Sequence, residues 1–279
     1  MSGTPAAEVE RLTGRRVAGT QPLGGLGKVL LVTLGGGGKL IAKLGPGLEP
    51  EGWMLRWLAA HTLLPVPDLV HGDDALLLME YVEAGSTVTP AVERHAAELL
   101  AALHEHTWHS FGAERDTAIG GLRQPNPPTR RWVEFFRDHR LLHMAEEARR
   151  AGRLPAVLMA RIEALAARLE RWLDEPDHPR LVHGDCWGGN VLVKGDRVAA
   201  FIDPALYYAD PEIELAFTTL FGTFGDAFFA RYAGFRPLSA GFWEAKRELY
   251  NLYPLLVHVR LFGGSYVGGV EATLDRFLG

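Results

Sequence analysis

Residues 181–190 read LVHGDCWGGN, and residues 201–204 read FIDP. Asp185 is followed by Asn190 five residues on, and Asp203 comes thirteen residues after that. Two carboxylates and an amide, each beside a short apolar strand-like run, are the set that phosphoryl transfer needs. One carboxylate orients an attacking hydroxyl. An amide oxygen and a second carboxylate hold Mg²⁺ against nucleotide phosphates. An Asp titrates near ~3.9 in a model peptide and is a weak base for an alcohol. Its main work is therefore aiming the hydroxyl, with proton transfer late. On this reading Asp185 is the catalytic residue, and Asn190 and Asp203 are the metal ligands. His183 props the loop through hydrogen bonds rather than taking protons.

The five letters LVHGD also occur at 69–73. There Gly and Asp stand between two apolar runs, and no amide follows at a useful distance. Both residues are turn formers, so this copy reads as a hairpin turn.

Working outward, the chain has 279 residues, 47 % of them apolar, enough for a core in one large or two moderate domains. A net charge of −5 argues against a nucleic-acid surface. The single cysteine, Cys186, cannot form an intrachain disulfide and reads as packing beside Asp185. No apolar run of membrane-spanning length occurs. The first residues, MSGTPAAEVERL, carry no apolar stretch of the secretory kind. A cytoplasmic protein with no membrane or nucleic-acid partner is expected.

A short helix is expected over 6–13, then strands over 16–23, 28–34 and 39–44, broken by glycine clusters that suggest antiparallel hairpins. A helix over 49–60 and strands over 68–71 and 75–82 complete this part. Beyond it the pattern turns helical: 90–106, 130–150, 154–173, 212–221, 226–232, 241–262 and a last helix to 278. Residues 109–128 read as a long loop. The spacing predicts an α+β protein with a small antiparallel sheet over 1–82. A larger, mainly helical lobe follows over 83–279. Clefts between such parts are common ligand sites.

HGDxxxxN followed by IDP resembles the aminoglycoside-phosphotransferase and choline-kinase branch of the protein-kinase-like fold. The segments HGDCWGGNVLV (183–193), FIDPALYYADPEIELAFTTLFGTF (201–224) and RELYNLYPLLVHVRLFGGSY (247–266) resemble the fructosamine kinase (ketosamine-3-kinase) family more narrowly. Trp187 and the Asp203-Pro204-Ala205 run are the more specific tokens. The resemblance implies a two-lobed kinase that uses ATP and Mg²⁺, with 1–82 as the nucleotide-binding lobe and 83–279 as the catalytic and acceptor-binding lobe. It would phosphorylate a sugar hydroxyl, O3 of a ketosamine, on a small molecule or on a glycated lysine of a protein, in deglycation. The alternatives are an aminoglycoside, choline or related alcohol as acceptor, or a nucleotide-binding pseudokinase.

A kinase-like site needs a cation on the α- and β-phosphates. Lys43, in LIAKL on the third strand, fits; Lys28 and Lys39 sit beside glycine turns and read as solvated. Glu51 is the expected carboxylate partner, four residues before Leu55 and so on its face, with Glu49 second. Gly24, Gly25 and Gly27 let backbone N–H groups approach phosphates. Backbone groups of Glu80 and Tyr81, in LMEY, are expected to meet adenine. Trp187 reads either as a stacking surface for the acceptor or as core. The resemblance also puts His258 near the ketosamine and Glu214 behind the catalytic loop. Residues 126–131 and Trp132 precede a helix that is expected to wall the acceptor pocket. Asp210 and Pro211 are expected to cap and begin the 212–221 helix.

Overall fold

A computed structural model describes residues 4–24 and 28–279. Helix α1 (Pro5–Thr13) leads into strands β1 (Val17–Leu23), β2 (Val29–Leu34) and β3 (Lys39–Leu44). Helix α2 (Glu49–His61) follows, then β4 (Leu69–Gly72) and β5 (Leu76–Glu80). The five strands form one antiparallel sheet in the order β1-β2-β3-β5-β4, which makes β3 the central strand.

The period-two alternation of strands decides which side chains face which helix. Val32, Leu34, Ala42, Leu76 and Leu78 pack with Val9 of α1. Leu77 and Met79, one residue out of step, pack with Leu55, Ile41 and Leu48 against α2. Lys43 has the parity of Ile41. Its side chain therefore leaves β3 on the α2 side.

The rest is largely helical. α3 (Pro90–Leu103) starts at Thr89, whose hydroxyl accepts from the Val92 N–H at 3.3 Å. A hairpin of β6 (Thr117–Ile119) and β7 (Leu122–Gln124) follows. α4 (Trp132–Phe135) passes through a π-helical stretch, Phe136–Leu142, into α5 (His143–Arg150), and α6 (Ala156–Ala166) comes next. β8 (Arg180–Val182), β9 (Val191–Lys194), β10 (Arg197–Phe201) and β11 (Tyr207–Ala209) carry the loops of the candidate site. β9 pairs with β10, and β8 pairs with β11. α7 (Glu212–Leu220), α8 (Asp226–Ala233), α9 (Arg247–Phe262) and α10 (Val267–Leu278) close the fold. Among the described residues, no helix is long and apolar enough to cross a membrane.

Several expectations need correction. The segment 109–128 is not a plain loop, because Ile119-Gly120-Gly121-Leu122 closes a two-residue hairpin. Both glycines have positive φ, 54° and 78°, as the tight turn requires. The 130–150 helix is interrupted by the π-helical stretch, which carries the fully buried Arg140. Its guanidinium lies 3.9 Å from the centroid of the Tyr207 ring. The helix expected over 154–173 ends at Ala166, and a 3₁₀ turn, Leu169–Arg171, follows. Pro211 precedes α7 rather than starting it. Asp210 still accepts from the Glu212 N–H at 3.0 Å and also takes the Tyr250 hydroxyl at 2.7 Å. The early HGD copy is a turn between β4 and β5. Asp73 accepts from the N–H groups of Ala75 and Leu76, both at 2.8 Å.

Candidate active site

β8 ends at Val182, and the loop His183-Gly184-Asp185 that follows delivers Asp185 into a cleft beside β3 and α2. This loop is stitched to the Asp203 segment. Ala205 N–H donates to the His183 carbonyl at 2.8 Å, and Ile202 N–H donates to the Asn190 carbonyl at 3.0 Å. The packing is so close that a Cβ on Gly184 would lie 2.1 Å from the Ala205 carbonyl oxygen, and φ there is +84°. Only glycine fits between the histidine and the aspartate.

Glu214, buried on the first turn of α7, holds the loop from behind. Its carboxylate accepts from the N–H groups of His183 (3.2 Å) and Gly184 (2.8 Å) and from His104 Nε2 (2.9 Å). Burial pushes its pKa up, but His104, His183 and the Gly184 N–H outweigh burial and hold it below the usual value. His104 in turn meets the Tyr232 hydroxyl at 2.7 Å through Nδ1. His104 and Tyr232 lie 128 residues apart and carry no local sequence signal. His183 is fully buried, and burial lowers its pKa, in keeping with a propping role for a neutral ring.

Asn190 donates through Nδ2 to both the carbonyl and the Oδ2 of Asp185, each at 2.9 Å. This fixes the amide orientation and leaves Oδ1 for another partner. Asp203 has φ +55°, the one non-glycine at positive φ among the described residues. That left-handed conformation is uncommon outside glycine, though Asp tolerates it better than most. Lys43 donates to Glu51 Oε1 at 2.7 Å and pairs with Asp203. Burial pulls the Lys43 pKa down, but the charges of Asp203 and Glu51 prevail and raise it, so the ammonium is firmly charged. The pKa of Asp185 is pushed up to about 7, first by burial and then by the Asp203 charge.

The oxygens fit Mg²⁺. Asn190 Oδ1 and the Asp203 carboxylate are hard donors that share a cavity wall with Asp185. Among the described residues, no group of three His, Cys, Asp or Glu gathers into an all-protein cage. Mg²⁺ suits such a sparse set, because it keeps waters and takes substrate phosphates as further ligands.

The structure brings Lys43, Glu51, Asp185, Asn190 and Asp203 together. Glu49 instead forms a two-point ion pair with Arg115 at 2.9 and 2.6 Å. Lys39 is exposed, 5.3 Å from the centroid of the Tyr81 ring, and Lys28 is exposed too. Gly24 has φ +81°. Gly25 and Gly27 lie outside the described residues. At Glu80 and Tyr81, where adenine is expected, the sheet occupies the backbone donors. Their N–H groups already donate to the carbonyls of Asp68 (2.8 Å) and Lys39 (3.3 Å). Neither is free as a donor to a base, because sheet pairing runs one residue past β5.

Beyond Asp185 opens a cavity of about 500 Å³, lined by Ile119, Gly120, Trp187, Phe221, His258 and Tyr266 among others. Trp187 is 37 % exposed, so its core reading falls away. His258 Nδ1 lies 2.7 Å from the Pro254 carbonyl and donates to it, leaving Nε2 as an acceptor; burial lowers its pKa. Neither Asn126, Trp132 nor the helix that follows them is among the described residues that line this cavity. Asn126 and Trp132 are both buried: Asn126 binds Arg140 and Thr117, and Trp132 donates to the Tyr250 hydroxyl at 2.8 Å. The wall comes from the β6–β7 hairpin instead. Gln124 roots the hairpin on the Ala205 carbonyl (3.0 Å) and Tyr253 (2.6 Å). Gly120 lines both this cavity and the neighbouring pocket that holds Lys43 and Glu51. The Gly-Gly pair was the available sequence signal for it. Cys186 is fully buried and its pKa is raised well above the ordinary thiol range by burial, which makes it an inert packing residue.

The sequence profile of the fructosamine kinase family matches residues 48–279. A protein of Synechocystis named as a probable ketoamine kinase is 39 % identical over 240 residues, covering 82 % of this chain and 78 % of its own length. A crystal structure from Thermobifida fusca, assigned as a fructosamine-3-kinase, superposes with a TM-score of 0.87 at 34 % identity, covering 99 % of this chain and 98 % of that one. An aminoglycoside phosphotransferase solved with ADP and hygromycin B shares the fold alone, with a TM-score of 0.67 at 17 % identity, covering 99 % of this chain and 100 % of that one. The chain belongs to the fructosamine kinase family, whose members are ATP-dependent phosphotransferases of protein-kinase-like fold.

Proposed function

We propose that this kinase transfers the γ-phosphoryl group of ATP to O3 of a ketosamine, a fructosyl- or ribulosylamine, either free or on a glycated lysine. Phosphorylation there loosens the sugar–amine adduct, so the physiological role is deglycation. The observation that carries the reading is the convergence of Lys43, Asp185, Asn190 and Asp203 in one cleft, with an aromatic cavity directly beside Asp185. Residues 1–82 act as the nucleotide-binding lobe and residues 83–279 as the catalytic and acceptor-binding lobe.

The roles follow from charge and reach. Lys43, steadied by Glu51, neutralises the α- and β-phosphates. Gly24, Gly25 and Gly27 cover the phosphates. Adenine meets the edge of the strand at Glu80 and Tyr81, with the Glu80 carbonyl as acceptor and the Val82 N–H as donor. Asn190 and Asp203 would hold Mg²⁺, which would supply charge neutralisation to the nucleotide phosphates. Asp185 accepts the O3 hydroxyl and aims it; its pKa near 7 makes it a better proton acceptor than an ordinary aspartate. Trp187 and His258 border the acceptor. An aminoglycoside is a polycation and calls for several carboxylates, whereas among the described residues only Asp185 and Asp203 bring carboxylates to this cavity.

ADP release measured with fructosyl-lysine, ribulosyl-lysine, an aminoglycoside and choline tests the proposal, with Asp185→Asn as control. Turnover with the ketosamines and none in the variant is expected. Turnover with the aminoglycoside alone overturns the acceptor assignment. ATP binding without ADP release from any acceptor overturns the reaction.

A further inference from the structure

Three of the five exposed large aromatic side chains among the described residues, Trp187, Phe221 and Phe262, gather at the mouth of the acceptor cavity. They form a connected set of rings. Trp187 meets Phe221 with centroids 6.0 Å apart, and Phe221 meets His258 at 4.9 Å. His258 then meets Phe262 at 5.6 Å and Tyr266 at 4.9 Å. Phe262 is 65 % exposed, an expensive position for a phenyl ring whose ring partners are His258 and Tyr266. Contiguous exposed apolar surface of this kind marks a contact site.

The chemistry of the acceptor says what meets it. In a ketosamine the amine nitrogen is bonded to C1, and the hydroxyl to be phosphorylated is on C3. When that hydroxyl reaches Asp185, the nitrogen is only two carbons away, and its substituent must leave through the ring set. The cavity, about 500 Å³, falls among pockets that hold whole ligands of roughly 300–1,000 Å³, so it has room beyond one sugar. Among the described residues it is lined by no lysine or arginine, and its two carboxylates are committed to the reacting hydroxyl and to Mg²⁺. A free α-carboxylate on the substituent would therefore be desolvated against rings with no partner. The secondary ammonium itself is served by the ring faces and by the acceptor Nε2 of His258.

We infer that this site selects ketosamines whose amine bears an apolar, ring-containing substituent, and that Phe221, Phe262 and Tyr266 are the specificity-determining residues. The inference rests on the ketosamine kinase reading above. The experiment compares kcat/KM for the fructose adducts of benzylamine and of glycine, with wild type and Phe262→Ala. The expected preference for the benzylamine adduct is about 10–100-fold in wild type, the range that apolar pockets deliver. In Phe262→Ala the ratio of the two should narrow at least about fivefold through the KM of the benzylamine adduct, with the melting temperature unchanged. Phe221→Ala should narrow it likewise. Equal or better use of the glycine adduct by wild type, or an equal loss on both substrates in the variants, overturns the inference while leaving the kinase reading intact. Failure to phosphorylate either adduct, with ATP and Mg²⁺ bound, removes the kinase reading first.

Discussion

Asp185 carries a cost that its role explains. Its carboxyl ionises near 3.8 in an open chain and near 7 when folded, because burial and the Asp203 charge both oppose the ion. Between those values the unfolded chain gives up a proton that the folded chain keeps. Stability therefore falls as pH rises from about 4 to about 7 and is flat beyond, at a cost of at most about 4 kcal/mol at pH 8. Asp185→Asn should lose about 10²–10⁴ in kcat. It should also melt higher than wild type at pH 8, with the difference shrinking toward pH 4. A variant that melts lower at pH 8 would mean that the carboxylate is stabilising and that burial is not its dominant influence. Lys43→Met removes the charge between Glu51 and Asp203. About 10²–10³ in kcat should go while the cooperative melt survives; loss of the melt would make Lys43 a folding residue. Much of this was legible in the sequence, because Asp185, Asn190 and Asp203 sit at short fixed spacings on one strand–loop–strand unit. Strand parity alone turned Lys43 toward α2.

Two elements position these residues, and both work by closeness. α7 presents Glu214 to the backbone of His183 and Gly184, and His104 completes the buried pair at 2.9 Å. Removing one partner strands the other without water. Glu214→Ala should cost about 3–5 kcal/mol in denaturant unfolding, and residual kcat should fall because the HGD loop loses its rear support. A loss below about 1 kcal/mol would show that the N–H groups find other acceptors. The β6–β7 hairpin is the second element. Gly120 has φ +54°, and a Cβ there would lie 2.7 Å from Leu261 Cδ1. Gly120→Ala should cost about 1–2 kcal/mol for the left-handed backbone. It should also raise KM for the acceptor more than KM for ATP. A change confined to ATP would assign the hairpin to the nucleotide side instead. Sequence patterning missed this hairpin because its strands are three residues long, too short to display a period against a Gly- and Pro-rich background.

At the scale of the molecule, the helical part reaches into the sheet part at several points. Met54 of α2 accepts the Leu206 N–H at 3.1 Å, just past the Asp203 loop, and Arg115 clasps Glu49 at the start of α2. α2, which carries Glu51, is thereby tied to the segment that carries Asp203. The sequence by itself determined the α+β division, the third strand with its lysine, and the spacing of the Asp185, Asn190 and Asp203 set, because those follow from short-range periodicity and covalent separation. Tertiary structure alone decided that Glu49 goes to Arg115, that His104 and Tyr232 stand behind Glu214, and that the acceptor cavity is walled by Gly120, Phe221 and Tyr266. Those residues come from distant segments, Glu49 and Arg115 66 residues apart and His104 and Glu214 110 apart, and their meeting is fixed by how helices pack over the core, which leaves no periodic trace in any one stretch of chain.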